Sequence, residues 1–217
     1  MKILISGFEP FLEIKENPSQ ILATELKVDY ERVLQNQQIE NSDFVNVSLV
    51  QKVFAEIKLE TVILPVEYDR AFMVLKEAID KFQPDVVLST GVAAGRSEVG
   101  LERIAINHRS VRLKDNTGQK ASSSKIHDSG PDGVFSNLDV DAIVAETNEI
   151  QSKDNFVFKV SNTAGTYVCN ALMYYLFLDA KMNSYQAGFL HIPNQTDSDS
   201  IRKYKELVLN LISVLKK

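Results

Sequence analysis

The sequence predicts an α/β fold, a three-layer α/β/α sandwich around a twisted, mostly parallel sheet. Three observations carry this. Short continuous runs of β-branched and aliphatic residues, such as Lys2–Ser6 and Thr61–Val66, have the pattern of strands buried on both faces. They alternate with segments whose apolar residues recur at helical spacing, as expected when helices cover a parallel sheet. A length of 217 residues suffices for one such core and is short for two, so residues 1–217 are expected to form a single domain.

The elements follow in order. Lys2–Ser6 is the first strand and ends in the loop "GFEPFLEIKENPS". There Asn17 suits an N-cap with Pro18 at the first helical position, so a helix is expected through Ser19–Lys27. Residues 30–60 form a variable segment that mixes polar "QNQQIENSD" with strand-like "DFVNVSLVQKVFAEI". Thr61–Val66 is the next strand. In the helix Arg70–Phe82, residues Phe72, Leu75, Ile79 and Phe82 share a face, and Pro84 stops it before the strand Asp85–Gly91. Asn116–Gly133 lacks apolar periodicity and reads as a long surface loop, near 114–134, over a site. Phe156–Ser161 and Ala187–Pro193 are further strands. The last helix, from Arg202, carries Leu207, Leu211 and Leu215 in one stripe with Val208 and Ile212 beside it. No internal repeat is found.

Composition excludes several classes. The net charge of −5, with no dense run of Lys or Arg, argues against a nucleic-acid partner. No stretch approaches the ~20 apolar residues that span a bilayer. Met1–Pro10 reads as a strand, not a signal peptide. One cysteine makes no internal disulfide, and a metal site usually needs more sulfur or paired histidines, so neither metal nor cofactor is expected. A cytoplasmic enzyme or binding protein is the expectation.

Chemistry centres on Cys169, in the first turn of the helix after "SNTAGTYV". A thiol attacks carbonyls as thiolate, and a helix amino end lowers a thiol pKa through its unpaired N–H groups and dipole. Gly165 permits a sharp turn that exposes the side chain at the carboxyl edge of the sheet, with N–H groups for an oxyanion. The competing reading is a small buried hydrophobe. Among three histidines, His108 suits a strand end and His127 a solvated loop, whereas an apolar strand delivers His191 to the sheet edge. An orienting carboxylate would complete the set. Glu102 is a candidate, although Glu beside Arg103 also fits an ion pair on a solvated face. "GVAAGRS" lacks P-loop and dinucleotide spacing and reads as a structural turn.

Four stretches in order, "GFEPF", "GVAAGRSEVGLERIAIN", "SNTAGTYVCN" and "GFLHIP", together with "LPVEYDRA" and "QPDVVL", resemble pyroglutamyl peptidase I. The resemblance covers most of the chain. It implies a cysteine peptidase that removes an amino-terminal pyroglutamate from peptides without a cofactor, built on a mixed, mostly parallel sheet and assembled as a homo-oligomer, a tetramer or dimer. It assigns Cys169 as nucleophile, His191 as base and Glu102 as the orienting acid. It assigns Phe8, Phe11, Asn17, Tyr167 and Val168 to the substrate pocket, and Arg96 to a supporting role.

The chain also departs from that pattern. Leu12-Glu13 stands where the family usually has Gly-Gly, "SVRLKDN" replaces the commoner "DARIPDN", and "NQTDSDS" follows "HIP". Residues 30–60 exceed the usual connection. These changes leave open a hydrolase of another small N-acyl or amide substrate, or a non-catalytic binding homologue.

Overall fold

The computed structural model describes residues 1–37, 47–110 and 113–216. The chain runs β1 (Lys2–Phe8), α1 (Pro18–Leu34), α2 (Val47–Ala55), β2 (Lys58–Leu64), α3 (Ala71–Phe82) and β3 (Val86–Val92). It continues through β4 (Val99–Glu102), β5 (Ile104–Ile106), β6 (Gly133–Phe135), α4 (Val140–Ile150), β7 (Phe158–Ser161), α5 (Val168–Asn183), β8 (Gln186–Ile192) and α6 (Ser198–Leu215). The main sheet has the order β2-β1-β3-β8-β4-β7, and β5 and β6 form a separate antiparallel ribbon. β2, β1, β3 and β8 are parallel, while β4 opposes β8 and runs with β7. The sheet is therefore mixed and mostly parallel.

Alternate residues of each strand feed two cores. Ile3, Ile5, Val86, Leu88 and Leu190 pack with α1, α2, α4 and α6 on one face. Leu4, Val87, Ala187 and Phe189 pack with α3 and α5 on the other. A buried ion pair, Lys205 Nζ to Asp29 Oδ2 at 2.9 Å, joins α6 to α1.

Two segments differ from expectation. The strand-like stretch before Ile57 is the helix α2, because Val50, Val53 and Phe54 fall at helical spacing and bury one stripe; residues 38–46 of the variable segment lie outside the described residues. The helix α4 and the strands β4 and β6 are not expected from the sequence, and β5 only as the strand that His108 follows. Yet Asp139 caps α4 by accepting from Ala142 N at 3.1 Å, and Val140, Ile143, Val144 and Thr147 bury its inner face. β2 also begins earlier than Thr61 and ends before Pro65.

The turn from β1 to α1 sets the site's first wall. Asn17 Oδ1 accepts from Ser19 N, and Ser19 Oγ accepts from Phe8 N, both at 3.0 Å. At Gly7 the helix start lies directly on the strand, so an added Cβ would fall on the Ser19 carbonyl, with its carbon at 2.6 Å. Gly7→Ala is expected to destabilise the fold by about 2–3 kcal/mol, the cost of overpacking against backbone, read as a lower midpoint in urea unfolding.

Candidate active site

His191 lies near the carboxyl end of β8, between two glycines. Its partners in register are Gly91 on β3 and Gly100 on β4. A Cβ at Gly91 would sit 3.1 Å from Cys169 Sγ and 2.9 Å from Phe189 Cζ; one at Gly100 would sit 2.9 Å from Arg96 Nη1. The glycines make room on one side of the imidazole for a sulfur and on the other for a guanidinium. Adjacent strands lie about 4.8 Å apart, so the sulfur rests over the neighbouring strand of the histidine.

Glu102 lies two residues beyond Gly100 and so shares its face. Its Oε1 accepts from His191 Nδ1 at 2.7 Å and from Arg96 Nη1 at 2.9 Å. Arg96 Nη2 also donates to Thr163 O at 2.7 Å, tying the "GVAAGR" turn to the segment before α5. Glu102 is fully buried and His191 only 4% exposed, which corrects the solvated-face reading. Arg103, the sequence neighbour, points the other way and pairs with Asp141 at 2.7 Å. A carboxylate removed from water costs several kcal/mol unless paired, and Arg96 supplies the opposing charge.

Cys169 is the second residue of α5. Gly165, at φ +74°, turns the chain into the helix, and Tyr167 at the N-cap makes no side-chain capping bond, which leaves first-turn N–H groups available. The thiol is half-buried. Burial, then the negative charge of Glu102, push its pKa up to about 12, and only the Cys169 backbone N–H acts in the lowering direction. The helix end therefore does not hold a resting thiolate as its position suggested. Desolvation outweighs it.

These groups open on a cavity of about 310 Å³. Phe8, Phe11, Tyr167 and Val168 give it apolar walls, with Cys169, His191 and Arg96 as its chemistry-bearing lining. The Phe11 and Tyr167 rings meet at 6.0 Å and 35°. Phe8 serves both the wall and the core. Asn17 lines the cavity too, but its Oδ1 caps α1 and its Nδ2 donates to Glu9 O at 2.9 Å, so it shapes the wall. Leu12 and Glu13 do not line it: they form the tip of a hairpin closed by Phe11 and Ile14, with Leu12 at φ +49°. The surface loop after β5 is fastened to the wall. Tyr167 Oη donates to Lys114 O at 2.8 Å and Asn116 Nδ2 to Glu9 Oε1 at 2.7 Å. Arg112 of "SVRLKDN" lies outside the described residues.

His108, two residues past β5, and the exposed His127 are not in the cavity. Residues that sequence reasoning missed include Val66 and Val92 in the lining, and the two glycines beside His191. Glycine in a strand signals close approach by another group, but its meaning here needs the register.

The family model for pyroglutamyl peptidase matches residues 32–208. A pyrrolidone-carboxylate peptidase of Saccharolobus islandicus is 37% identical over 193 residues, covering 89% of this chain and 79% of that one. One from Thermosipho melanesiensis is 33% identical over 195 residues, covering 89% and 83%. The crystal structure of the pyrrolidone carboxyl peptidase of Pyrococcus furiosus superposes with a TM-score of 0.79 at 28% identity, over 99% of this chain and 97% of that one. The chain belongs to the pyroglutamyl peptidase I family. It is thus a cysteine peptidase of that type. Among the described residues no helix is long and apolar enough to cross a membrane, and no group of three or more His, Cys, Asp or Glu is placed to hold a metal ion.

For a peptidase of this family, Gly91→Ala tests the packing around His191. The new methyl displaces the sulfur or the Phe189 ring, and a shift of about 1 Å can cost about 100-fold in rate. The expected result is a loss of that order in kcat/KM with a far smaller change in Tm.

Proposed function

We propose that this chain hydrolyses the amide bond after an amino-terminal pyroglutamyl residue, with Cys169 as nucleophile, His191 as general base and acid, and Glu102 as the group that orients His191. The observation that carries this reading is the Cys169 sulfur beside Gly91, the register partner of His191, whose Nδ1 meets Glu102 at 2.7 Å. With Nδ1–H donating to the carboxylate, Nε2 is the basic nitrogen.

The sequence of steps follows from those roles. Nε2 takes the Cys169 proton as the sulfur attacks the carbonyl that follows the lactam ring. First-turn N–H groups of α5 receive the oxyanion, an interaction of a kind worth about 100- to 1,000-fold in rate. The imidazolium gives its proton to the departing amine, and the C–N bond breaks to leave a thioester. Water, deprotonated by His191, then releases pyroglutamate and restores the thiol. A neutral resting thiol, with its pKa near 12, requires that proton transfer accompany attack.

Pyroglutamate is a flat, neutral lactam without a free amine. The apolar walls from Phe8, Phe11, Tyr167 and Val168 suit its ring faces, and the guanidinium that lines the cavity among the described residues, Arg96, is engaged by Glu102, which suits its neutrality. Because Leu12 and Glu13 stand outside the lining, their departure from the family pattern does not argue for a different acyl group. Cytoplasmic location and assembly as a homo-oligomer belong to the same reading, and light scattering reads the second.

A panel of aminoacyl and pyroglutamyl aminomethylcoumarins tests the specificity. Turnover confined to the pyroglutamyl compound is expected, and preference for another acyl group overturns the reading. Cys169→Ala is expected to abolish turnover with the fold intact and His191→Ala nearly so, while Glu102→Gln retains part of it. His191→Ala is also expected to slow iodoacetamide labelling of Cys169 near neutral pH by at least about tenfold, because the thiolate forms only through the imidazole.

A further inference from the structure

The acyl cavity runs across the carboxyl edge of the sheet, and its lining follows the strand order β2-β1-β3-β8-β4-β7. Val66 follows β2, Phe8 ends β1, and the Cys169 sulfur stands over Gly91 of β3. His191 comes next on β8, then the Arg96 guanidinium over Gly100 of β4, and last Thr163, just after β7. The two ends differ. Phe8 and Val66 at the first are buried, whereas Thr163 and Gly165 at the other are exposed. A closed end suits a terminal residue, and an open end lets a chain leave.

Distances along this line fix what reaches where. Adjacent strands lie about 4.8 Å apart, so β3 and β4, on either side of β8, are separated by roughly 10 Å. A carbonyl carbon about 3.3 Å from the sulfur, one residue of extended chain at about 3.4 Å and a hydrogen bond of about 2.9 Å span that gap. With the lactam at the closed end, the departing amine passes His191 and its chain heads for the guanidinium.

Arg96 has donors to spare. A guanidinium carries five N–H bonds. Here Nη1 donates to Glu102 and Nη2 to Thr163 O, and among the described residues the remaining N–H groups have no protein partner. The Arg96 side chain is 27% exposed while that of Glu102 is wholly buried, so the pair turns its cationic member toward the cavity.

We propose that the open end seats the residue that follows pyroglutamate, and that Arg96 donates a hydrogen bond to the main-chain carbonyl oxygen of that residue. This rests on the pyroglutamyl-peptidase reading above and extends it to the leaving side of the substrate. Arg96 then holds Glu102 and also the departing chain while His191 delivers its proton. The contact is to main chain, so it favours peptides over simple amides whatever side chain follows. An added Cβ at Gly165 would meet no atom within 4 Å, so the seat has room for bulk.

The test uses pyroglutamyl-alaninamide and pyroglutamyl-isopropylamide, which share the branched carbon on the leaving nitrogen and differ in the carbonyl. The leaving amines differ in basicity, but that difference is the same for every enzyme variant. Arg96→Lys keeps the charge opposite Glu102 and loses the fork of donors. The kcat/KM ratio of the first compound to the second is expected to fall about tenfold in this variant, the effect of one hydrogen bond to a charged group. A weaker hold on Glu102 slows both compounds alike, so an unchanged ratio overturns the assignment of Arg96. Ala164→Leu, at the open end and in no ion pair, tests the seat separately and decides alone if Arg96→Lys does not fold. It is expected to slow pyroglutamyl-phenylalaninamide about fivefold more than pyroglutamyl-glycinamide, and equal slowing or none overturns the seat. Pyroglutamyl-aminomethylcoumarin is the reference. Failure of the wild type to hydrolyse it overturns the acyl reading itself.

Discussion

The site depends on a steric constraint. An imidazole is set into a sheet with glycine on both flanks, and what fills each gap gives the imidazole its chemistry. On the β3 side the gap at Gly91 admits the Cys169 sulfur; on the β4 side the gap at Gly100 admits the Arg96 guanidinium. Glu102, two residues on from Gly100, shares the face of His191, and there a single oxygen meets both Nδ1 and Nη1.

Electrostatics follows from that packing. A fully buried carboxylate next to a nearly buried imidazole stays compatible with the fold because Arg96 lies against it. With Arg96 opposing Glu102, little positive charge is left over to stabilise a thiolate, and desolvation dominates at the sulfur. Under the proposed mechanism the enzyme keeps a neutral thiol at rest and ionises it only when a carbonyl is present to receive the sulfur. The uncapped start of α5 then acts on the oxyanion, not on the resting sulfur.

Much of this was legible in the sequence, and the gaps have physical reasons. Strands buried on both faces announce themselves as unbroken apolar runs, so β1, β3 and β8 were read nearly to their ends. The helix α2 looks strand-like because three of its nine residues are valine, and only burial of Val50, Val53 and Phe54 on one stripe decides the period. β4 is short, and two of its four residues are Gly100 and Glu102, so it carries little apolar signal of its own. The residues of the candidate site that carry reactive groups were named in advance, as were the aromatic walls. The glycines at 91 and 100 were not, since their role exists only in the register between strands. The direction of the Cys169 shift was misjudged because helix-end electrostatics is visible in a sequence and desolvation is not.

The most direct measurement is intact-protein and peptide mass spectrometry on a reaction with a pyroglutamyl ester, quenched in acid during turnover. The account predicts a pyroglutamyl adduct on the peptide containing Cys169, labile to hydroxylamine as a thioester is. An adduct on any other residue, or turnover that persists in Cys169→Ala, would contradict it.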